Sequence, residues 1–479
     1  MTMDLFSASS FGLAGFLYAV LQIFLTAHIL LHKEDVKSAI GWMGLVWLAP
    51  LLGSIFYILF GINRIRRKAL SLRNRGPDIF TLTGKTEEEI AREIPAPFLQ
   101  MLRLGYKVHP QRFSLENSIE PYLNGDEAYP EMCRLIASAK KEVLLQSYIF
   151  NNDAAGKKFL QAIRQAVQNG ASVRVLVDGV GLNYSRPNII SGLKKIKGLH
   201  YAVFLPSKSP FNIPFVNLRN HRKILIIDGH TAFFGGMNIA QGNIIQSLPK
   251  EPIADITFKV EGPVTDQMAR VFEEDWLFAS KKRVHAVEFP TDKPLKSHTP
   301  ARIIPDGPDS DYGKIELLVL GALSCAQKHI TIVTPYFLPE NNILTALEVA
   351  AMRGVKVEII LPSKSNIFGM DWAMRANFLR LLSKDIKIYR TQPPFDHSKI
   401  LVIDDAWVLF GSANWDVRSF KLNFECVLEC ISPSLAQKIN KIIEHKKKNA
   451  SMEKKELLEK QSLCKRIYSN AFKLLTPYY

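Results

Sequence analysis

Cysteine is scarce and poorly spaced: five residues in 479, at positions 133, 325, 426, 430 and 464, with no Cys-x-x-Cys pair. An odd set of this kind argues against a disulfide scaffold or a structural zinc site, and for reduced thiols in a cytosolic compartment. Cys426 and Cys430 flank a short apolar run and read as small buried residues. Lys and Arg are absent before the first long apolar run, Phe11 to Leu31. A secretory signal needs that basic flank and a shorter apolar core, so the run is not read as one. Acidic residues are outnumbered, 45 against 61 basic ones, for a net charge of +16. That balance favours anionic partners, either nucleic acid or a phospholipid surface.

Apolar residues are abundant, at 47% of the chain, and the length leaves room for two or three domains. Phe11–Leu31 is uncharged over 21 residues, and Ala39–Ile62 is uncharged over 24. As helices, each would cover about 30 Å, the thickness of a hydrocarbon core. Gln22 and His28 weaken the first span without forbidding it. The charged seven-residue link HKEDVKS suggests a tight helical hairpin. Directly after the second run, NRIRRKALSLRNR carries six basic residues and no acid. By the positive-inside rule that end is cytoplasmic, which puts the N-terminus and the remaining chain in the cytosol. The same cluster could hold the catalytic part against anionic headgroups.

Residues 63–115 read as a basic juxtamembrane segment and linker with local helix, including the acidic patch TEEEIARE. Two α/β units follow. In the first, KEVLLQSYIF reads as a strand. Ala154–Gln168 reads as a helix with Phe159, Ile163 and Val167 on one face, stopped by Gly170, and SVRVLV as the next strand. In the second, KHITIVTPYF, NNILTALEVAAMRG and VKVEIIL repeat the order. A Pro-rich junction, FPTDKPLKSHTPARIIPDGPDS, separates them. The expected division is a hairpin at 1–62 (spans 11–31 and 39–62), a linker at 63–115, α/β domains at 116–290 and 291–440, and a basic amphipathic tail at 441–479.

One element occurs twice. NHRKILIIDGHTAFFGGMN, Asn220–Asn238, returns 176 residues later as DHSKILVIDDAWVLFGSAN, Asp396–Asn414, with nine of 19 positions identical and no gap. In extended chain, residues i and i+2 share a face, which sets His221 beside Lys223 and His397 beside Lys399. Asp228 and Asp404 fall where each strand should turn. Gly235 and Gly411 allow close backbone approach, and Asn238 and Asn414 offer amide donors. An ammonium two residues from each histidine would repel a divalent metal, and no carboxylate cluster lies nearby. Two lysines, two histidines and two amides suit an anion with several oxygens, such as a phosphodiester. One imidazole could attack phosphorus while the other protonates the departing alkoxide.

HxKxxxxD followed by GG or GS and Asn, present twice, resembles the phospholipase D superfamily. The resemblance extends to bacterial cardiolipin synthases over almost the whole chain, through WLAPLLGSIFYILFG, LLQSYIFNNDAAGKKF, RNHRKILIIDG, FKVEGPV, TPYFLPE, GSANWDVRSFKLNFE and KLLTPYY. It implies two α/β sandwich domains forming a pseudo-symmetric pair behind a transmembrane hairpin, with one active site at their interface. It also implies a phosphohistidine intermediate without metal, nucleotide or other cofactor. By position, His221 and His397 are the nucleophile and acid/base pair, with Lys223, Lys399, Asn238 and Asn414 binding phosphate. Asp228 and Asp404 complete the catalytic motifs, more as supports of the local fold than as substrate contacts. Glu425, in LNFE, matches a carboxylate that orients the motif histidine. Asp255 is its counterpart in the first half, 34 residues after its histidine rather than 28. The aromatic often found two positions before that aspartate is Ile253 here. Tyr148 and Tyr336, at matching strand ends, either line the site or simply pack.

The leading expectation is therefore transfer of a phosphatidyl group between two phosphatidylglycerol molecules, giving cardiolipin and glycerol at the bacterial inner membrane. A membrane-bound phospholipase D, or another phosphatidyltransferase, is the enzymatic rival. Nucleic-acid cleavage suits the charge but gives the hairpin no purpose, so the expected partners are phosphatidylglycerol and other anionic lipids. A homo-oligomer is compatible with this reading. The tail has apolar residues at helical spacing, from Leu457 through Ile467 to Leu475, among lysines. It could lie on the membrane or pack against the catalytic part.

Overall fold

The computed structural model describes residues 3–33, 35–61, 98–206, 218–289, 297–309, 311–474 and 476. The basic cluster after Ile62, the patch TEEEIARE, much of the Pro-rich junction and most of the closing KLLTPYY lie wholly or partly outside them. The chain divides into two compact units, one ending at Lys68 and the other beginning at Ala69.

The first unit is an apolar helical hairpin. Helix Met3–His32 is followed by Val36–Leu48, whose first turn is capped by Asp35 accepting from the Ser38 amide at 2.7 Å. The residues from Gly15 to His32 form one helix long and apolar enough to cross a membrane. The second arm departs from the expected continuous span. It breaks at Ala49 and resumes as helix Pro50–Phe56 and a π-type turn, Tyr57–Gly61. The cause is Pro50, which lacks an N–H and drives the preceding residue out of the helical region, here to φ −125°, ψ 71°. Two polar residues of the first arm find partners in the second. Gln22 donates to Ser54 Oγ at 2.9 Å, and His28 Nδ1 meets the Tyr57 hydroxyl at 2.7 Å. Pairing of this kind lets a polar side chain sit in an apolar segment.

The second unit contains two sheets of matching topology. The first is built from β1 (Ser118–Leu123), β2 (Glu142–Ser147), β3 (Ser172–Asp178), β4 (His200–Phe204), β5 (Ile224–Ile227), β6 (Thr231–Gly235) and, after the short β7 (Ile253–Ala254), β8 (Ile256–Glu261). Their order is β1-β8-β6-β5-β2-β3-β4. The second has β9 (Ala301–Asp306), β10 (His329–Val333), the short β11 (Phe337–Leu338), β12 (Lys356–Pro362), β13 (Lys387–Thr391), the short β14 (Phe395–Asp396), β15 (Ile400–Ile403), β16 (Trp407–Gly411), the short β17 (Trp415–Asp416), β18 (Glu425–Ile431) and β19 (Ser451–Met452). From the opposite edge its order is β9-β18-β16-β15-β10-β12-β13-β19, the same path with one added edge strand. Each sheet thus joins three parallel strands from crossover units to an antiparallel meander that carries the repeated motif.

Local chemistry explains these elements. Helix Ala154–Gln168 starts where Asp153 accepts from the Gly156 amide at 3.0 Å, and Gly170 follows its end with φ +88°. Phe159 and Ile163 are fully buried from its inner face. Helix Asn341–Met352, with Ile343 and Leu347 buried, is likewise followed by a positive-φ glycine, Gly354 at φ +90°. The four aliphatic residues after each motif lysine form β5 and β15 and are all buried. Cys426 and Cys430 are buried within β18, and all five cysteines are free thiols. The two sheets meet through aromatic residues: Phe258 stacks on Phe410 at 3.7 Å between centroids, with Phe234 beside them at 6.1 Å.

The C-terminal region is part of this unit. β19 adds to the edge of the second sheet beside β13. Helix Leu463–Lys473 packs on helix Met370–Leu382, with Tyr468 against Trp372 at 5.2 Å and Lys473 donating to Asn377 at 2.7 Å. Of the two fates open to the tail, packing is the one seen, although Leu463, Ile467, Tyr468 and Leu474 keep exposed apolar faces.

Candidate active site

The chain approaches each motif histidine as a short strand paired with the other half. The Asn220 position bridges to Phe424, with the His221 amide donating to the Phe424 carbonyl at 2.9 Å. In the mirror arrangement β14 pairs in parallel with β7, and the His397 amide donates to the Ala254 carbonyl at 2.7 Å. Phe424 and Ala254 immediately precede Glu425 and Asp255. Each carboxylate is thereby delivered to the histidine of the opposite half. Nδ1 of His221 lies 3.0 and 3.1 Å from the two Glu425 oxygens, and Nδ1 of His397 lies 3.0 Å from Asp255 Oδ2. This corrects the pairing taken from spacing, which matched each carboxylate with the histidine of its own half. Sequence spacing follows one chain, whereas the contact is made by strand pairing between halves. Asp255, despite its longer spacing and the Ile253 before it, occupies the position equivalent to Glu425.

The tautomer follows from this geometry. A carboxylate accepting from Nδ1–H leaves Nε2 with its lone pair for reaction. Burial lowers the His221 pKa to about 4, with Glu425 opposing and Lys223 adding to the fall. His397 is lowered to about 4 as well, by burial and then by Lys399, against Asp255. Both imidazoles are therefore neutral near pH 7. Lys223 and Lys399 sit two residues on, each donating to the carbonyl of its histidine, as the i, i+2 spacing requires. Burial lowers Lys223 to about 7 and Lys399 to about 8. An anion bound between them would restore their full charge. Arg222, between His221 and Lys223, projects the other way. It is fully buried, pairs with Asp275 at 2.8 Å and donates to the carbonyls of Glu425 and Asp306, tying the halves together beside the site.

The space these groups enclose is an open cavity of about 650 Å³, lined by both histidines and by Asn238 and Asn414. Asn238 Oδ1 accepts from the Ile149 amide at 3.2 Å, while Oδ1 of Asn414 is buried with no hydrogen-bond partner among the described residues. Tyr148 and Tyr336 do line the site, edge-on to His221 at 5.0 Å and to His397 at 6.5 Å. The glycine–serine difference between the motifs has a steric basis. Ser412 donates to Glu425 Oε2 at 2.5 Å, whereas a Cβ at Gly236 would stand 3.0 Å from Lys399 and 3.2 Å from the Asp255 oxygens. At Gly411 a Cβ would fall 2.3 Å from the Cys426 carbonyl, the close approach expected there.

Asp228 and Asp404, included among the motif residues with the catalytic groups, are not brought to the cavity. Each follows its motif strand with positive φ and accepts from three consecutive backbone amides at the start of a neighbouring segment. Those donors are Lys140, Lys141 and Glu142 for Asp228, and Gln327, Lys328 and His329 for Asp404. The aspartates hold the start of each segment by its amides and lie outside the cavity lining. Sequence reading missed Arg219, Arg418 and Asn423, which also line the cavity. Arg219 was visible in principle, since it shares the i, i+2 face of His221 and Lys223; Arg418 gives no such local signal. Among the described residues no group of three or more His, Cys, Asp or Glu side chains is placed to hold a metal ion.

Two sheets of one topology, each bringing a motif histidine and asparagine to a shared cavity with the motif lysine buried two residues on, define the phospholipase D-like class. A family model described as "Cardiolipin synthase, PLD-like domain" matches residues 132–276 and 319–447, and one described as "Phospholipase_D-nuclease N-terminal" matches 20–61. Cardiolipin synthase 1 of Bacillus cereus is 29% identical, the match covering 98% of this chain and 94% of that protein. A cardiolipin synthase of Clostridium perfringens is 30% identical over 93% of this chain and 95% of its own length. In three dimensions, phosphatidylserine synthase of Haemophilus influenzae shares the fold, with a TM-score of 0.61 at 16% identity, covering 79% of this chain and 98% of that one. The chain belongs to the cardiolipin synthase family of phospholipase D-like proteins. It is a membrane-associated phosphatidyltransferase of phospholipid biosynthesis.

Proposed function

We propose that the protein joins two phosphatidylglycerol molecules into cardiolipin and glycerol by two successive displacements at phosphorus. The observation that carries this reading is the crossed pair His221–Glu425 and His397–Asp255, which leaves two equivalent neutral imidazoles on one cavity. The donor phosphate sits between Lys223 and Lys399, with Asn238 and Asn414 donating to its oxygens. His221 Nε2 attacks phosphorus while His397, protonated at Nε2 in the donor complex and held as an imidazolium by Asp255, gives that proton to the glycerol oxygen as its P–O bond breaks. A glycerol hydroxyl of the second lipid then attacks phosphorus and surrenders its proton to His397. The P–N bond electrons return to His221. Each step exchanges one ester for another, so the overall change is nearly isoenergetic and requires no nucleotide. Water competes for the same intermediate at ~55 M, and the acceptor lipid prevails by being held in line with water displaced.

In this reading residues 11–31 and 39–62 span the bacterial cytoplasmic membrane, with the N-terminus and domains 116–290 and 291–440 in the cytosol. The short helix after Pro50 completes the second crossing. Anionic lipid, not nucleic acid, is the partner. Product analysis of the purified full-length protein in phosphatidylglycerol vesicles tests the reaction. One glycerol released per cardiolipin is expected, whereas phosphatidic acid as the main product would make the protein a hydrolase.

A further inference from the structure

The two catalytic halves are alike, but the walls around them are not. The 176-residue offset that aligns Asn238 with Asn414 also aligns Arg219 with Phe395 and Gly242 with Arg418, and all four line the cavity. Beside His221, Tyr148 accepts a hydrogen bond from Arg219 Nη1 at 3.1 Å. Arg418 belongs to the same group. It faces Arg219, Tyr148 and Tyr184, and its pKa is lowered to about 10 by burial and then by the Arg219 charge. Beside His397, the matching tyrosine, Tyr336, instead donates to Asn366 at 2.6 Å and neighbours Phe395 at 6.1 Å. Phe395 pairs in register with Ile253, next to Gly242. One wall therefore bears two guanidiniums where its counterpart bears a phenyl ring and a glycine.

Two carboxylates face these arginines. Asp178 faces Arg219, but it already accepts from the amides of Val180, Gly181 and Asn220, and burial raises its pKa to about 6. Asp416 faces Arg418, accepts from the Ser419 amide, and is likewise raised to about 6 by burial. Both nearby carboxylates are thus engaged by backbone amides. Lys250 and Glu251, adjacent in the chain and opposite in charge, also line the cavity.

We propose that Arg219 and Arg418 form a second phosphate subsite, which holds the phosphodiester of the acceptor lipid while its glycerol hydroxyl attacks the phosphoenzyme. The inference rests on the transferase reading above and adds to it a basis for acceptor choice. The donor has one phosphate, and that phosphate occupies the reacting centre. An acceptor phosphatidylglycerol brings another, separated from the attacking oxygen by a three-carbon bridge. Arg219 lies one phenol ring from the reactive imidazole, since Tyr148 contacts His221 with its ring, 5.0 Å between centroids, and Arg219 with its hydroxyl. Paired guanidiniums suit a phosphodiester better than water or free glycerol, which carry no charge. The subsite would direct the intermediate toward cardiolipin while the symmetric centre performs both displacements.

The test uses full-length protein in phosphatidylglycerol vesicles with labelled free glycerol present. Three fates of the intermediate are read together: labelled phosphatidylglycerol, cardiolipin and phosphatidic acid. For Arg219→Gln and Arg418→Gln, cardiolipin formation should fall roughly 10- to 100-fold more than glycerol incorporation, the range for losing a charged hydrogen bond. Arg219→Lys should recover most of the difference. Glycerol incorporation also shows that each variant is folded. An equal fall in cardiolipin and in labelled phosphatidylglycerol would overturn the subsite, because the arginines would then serve the reacting phosphate or the fold. An unaltered product ratio would overturn it too. Wild-type protein giving neither product would remove the transferase reading and the subsite with it, and would do so before any variant is made.

Discussion

Glu425 and His221 are 204 residues apart in the chain and 3.0 Å apart in space, the carboxylate of the second half meeting the imidazole of the first. The pair Asp255 and His397 repeats the arrangement in reverse at the same distance. Neither half can complete its own site, so the catalytic centre exists only when both are folded together.

Exchanging the carboxylates for amides should therefore impair the histidine across the interface. Since each histidine acts in both displacements, Glu425→Gln and Asp255→Asn should each slow both formation and breakdown of the phosphoenzyme. Losses of about 10- to 100-fold are expected for each, the range for residues that orient a reactive histidine. Rapid-quench measurements of labelled intermediate separate the two steps. An effect of either variant on one step alone would contradict the double role of the histidine it orients.

Removal of either histidine should cost several orders of magnitude, since each acts in both displacements. Trapping the intermediate with labelled phosphatidylglycerol should place the label on His221. Recovery of the label on His397 would reverse the two roles while keeping the chemistry.

The pH dependence follows from the two kinds of group. The first displacement needs a neutral His221, lowered to about 4, and charged lysines, lowered to about 7 and about 8, while His397 must carry its proton in the donor complex. kcat/KM reports the free enzyme, so it should fall as pH drops toward 4 and as it rises beyond 7 to 8. Bound phosphodiester favours the charged lysines, so the alkaline limb of kcat should lie higher than that of kcat/KM. A kcat/KM still rising at pH 9 would show that the lysines are not needed in charged form.

Asp228→Ala and Asp404→Ala should act on stability. Each leaves three backbone amides without their carboxylate, a loss of about 2 to 3 kcal/mol. Thermal unfolding should shift downward, while turnover per folded molecule stays near that of the parent. A large fall in kcat with unchanged unfolding would return these aspartates to the chemistry.

Much of the molecule is encoded locally. The duplicated HxKxxxxD pattern, the strand–helix–strand order before each copy and the apolar N-terminal runs are all short-range features, set by side-chain period, glycine stops and residue chemistry. They sufficed to indicate two α/β halves, the histidines, the lysines, the asparagines and an anionic substrate. Pro50 was visible too, but its effect on the second helix depends on backbone geometry that hydropathy does not measure. Two features needed the tertiary structure: the crossed carboxylates and the gathering of Arg219 and Arg418 on one wall. Each depends on a contact between segments far apart in the chain. A spacing rule fixes which residues share a strand face, but it cannot say which strand of the other half lies opposite. That choice is made by pairing at the interface, where Asn220 meets Phe424 and Phe395 meets Ile253.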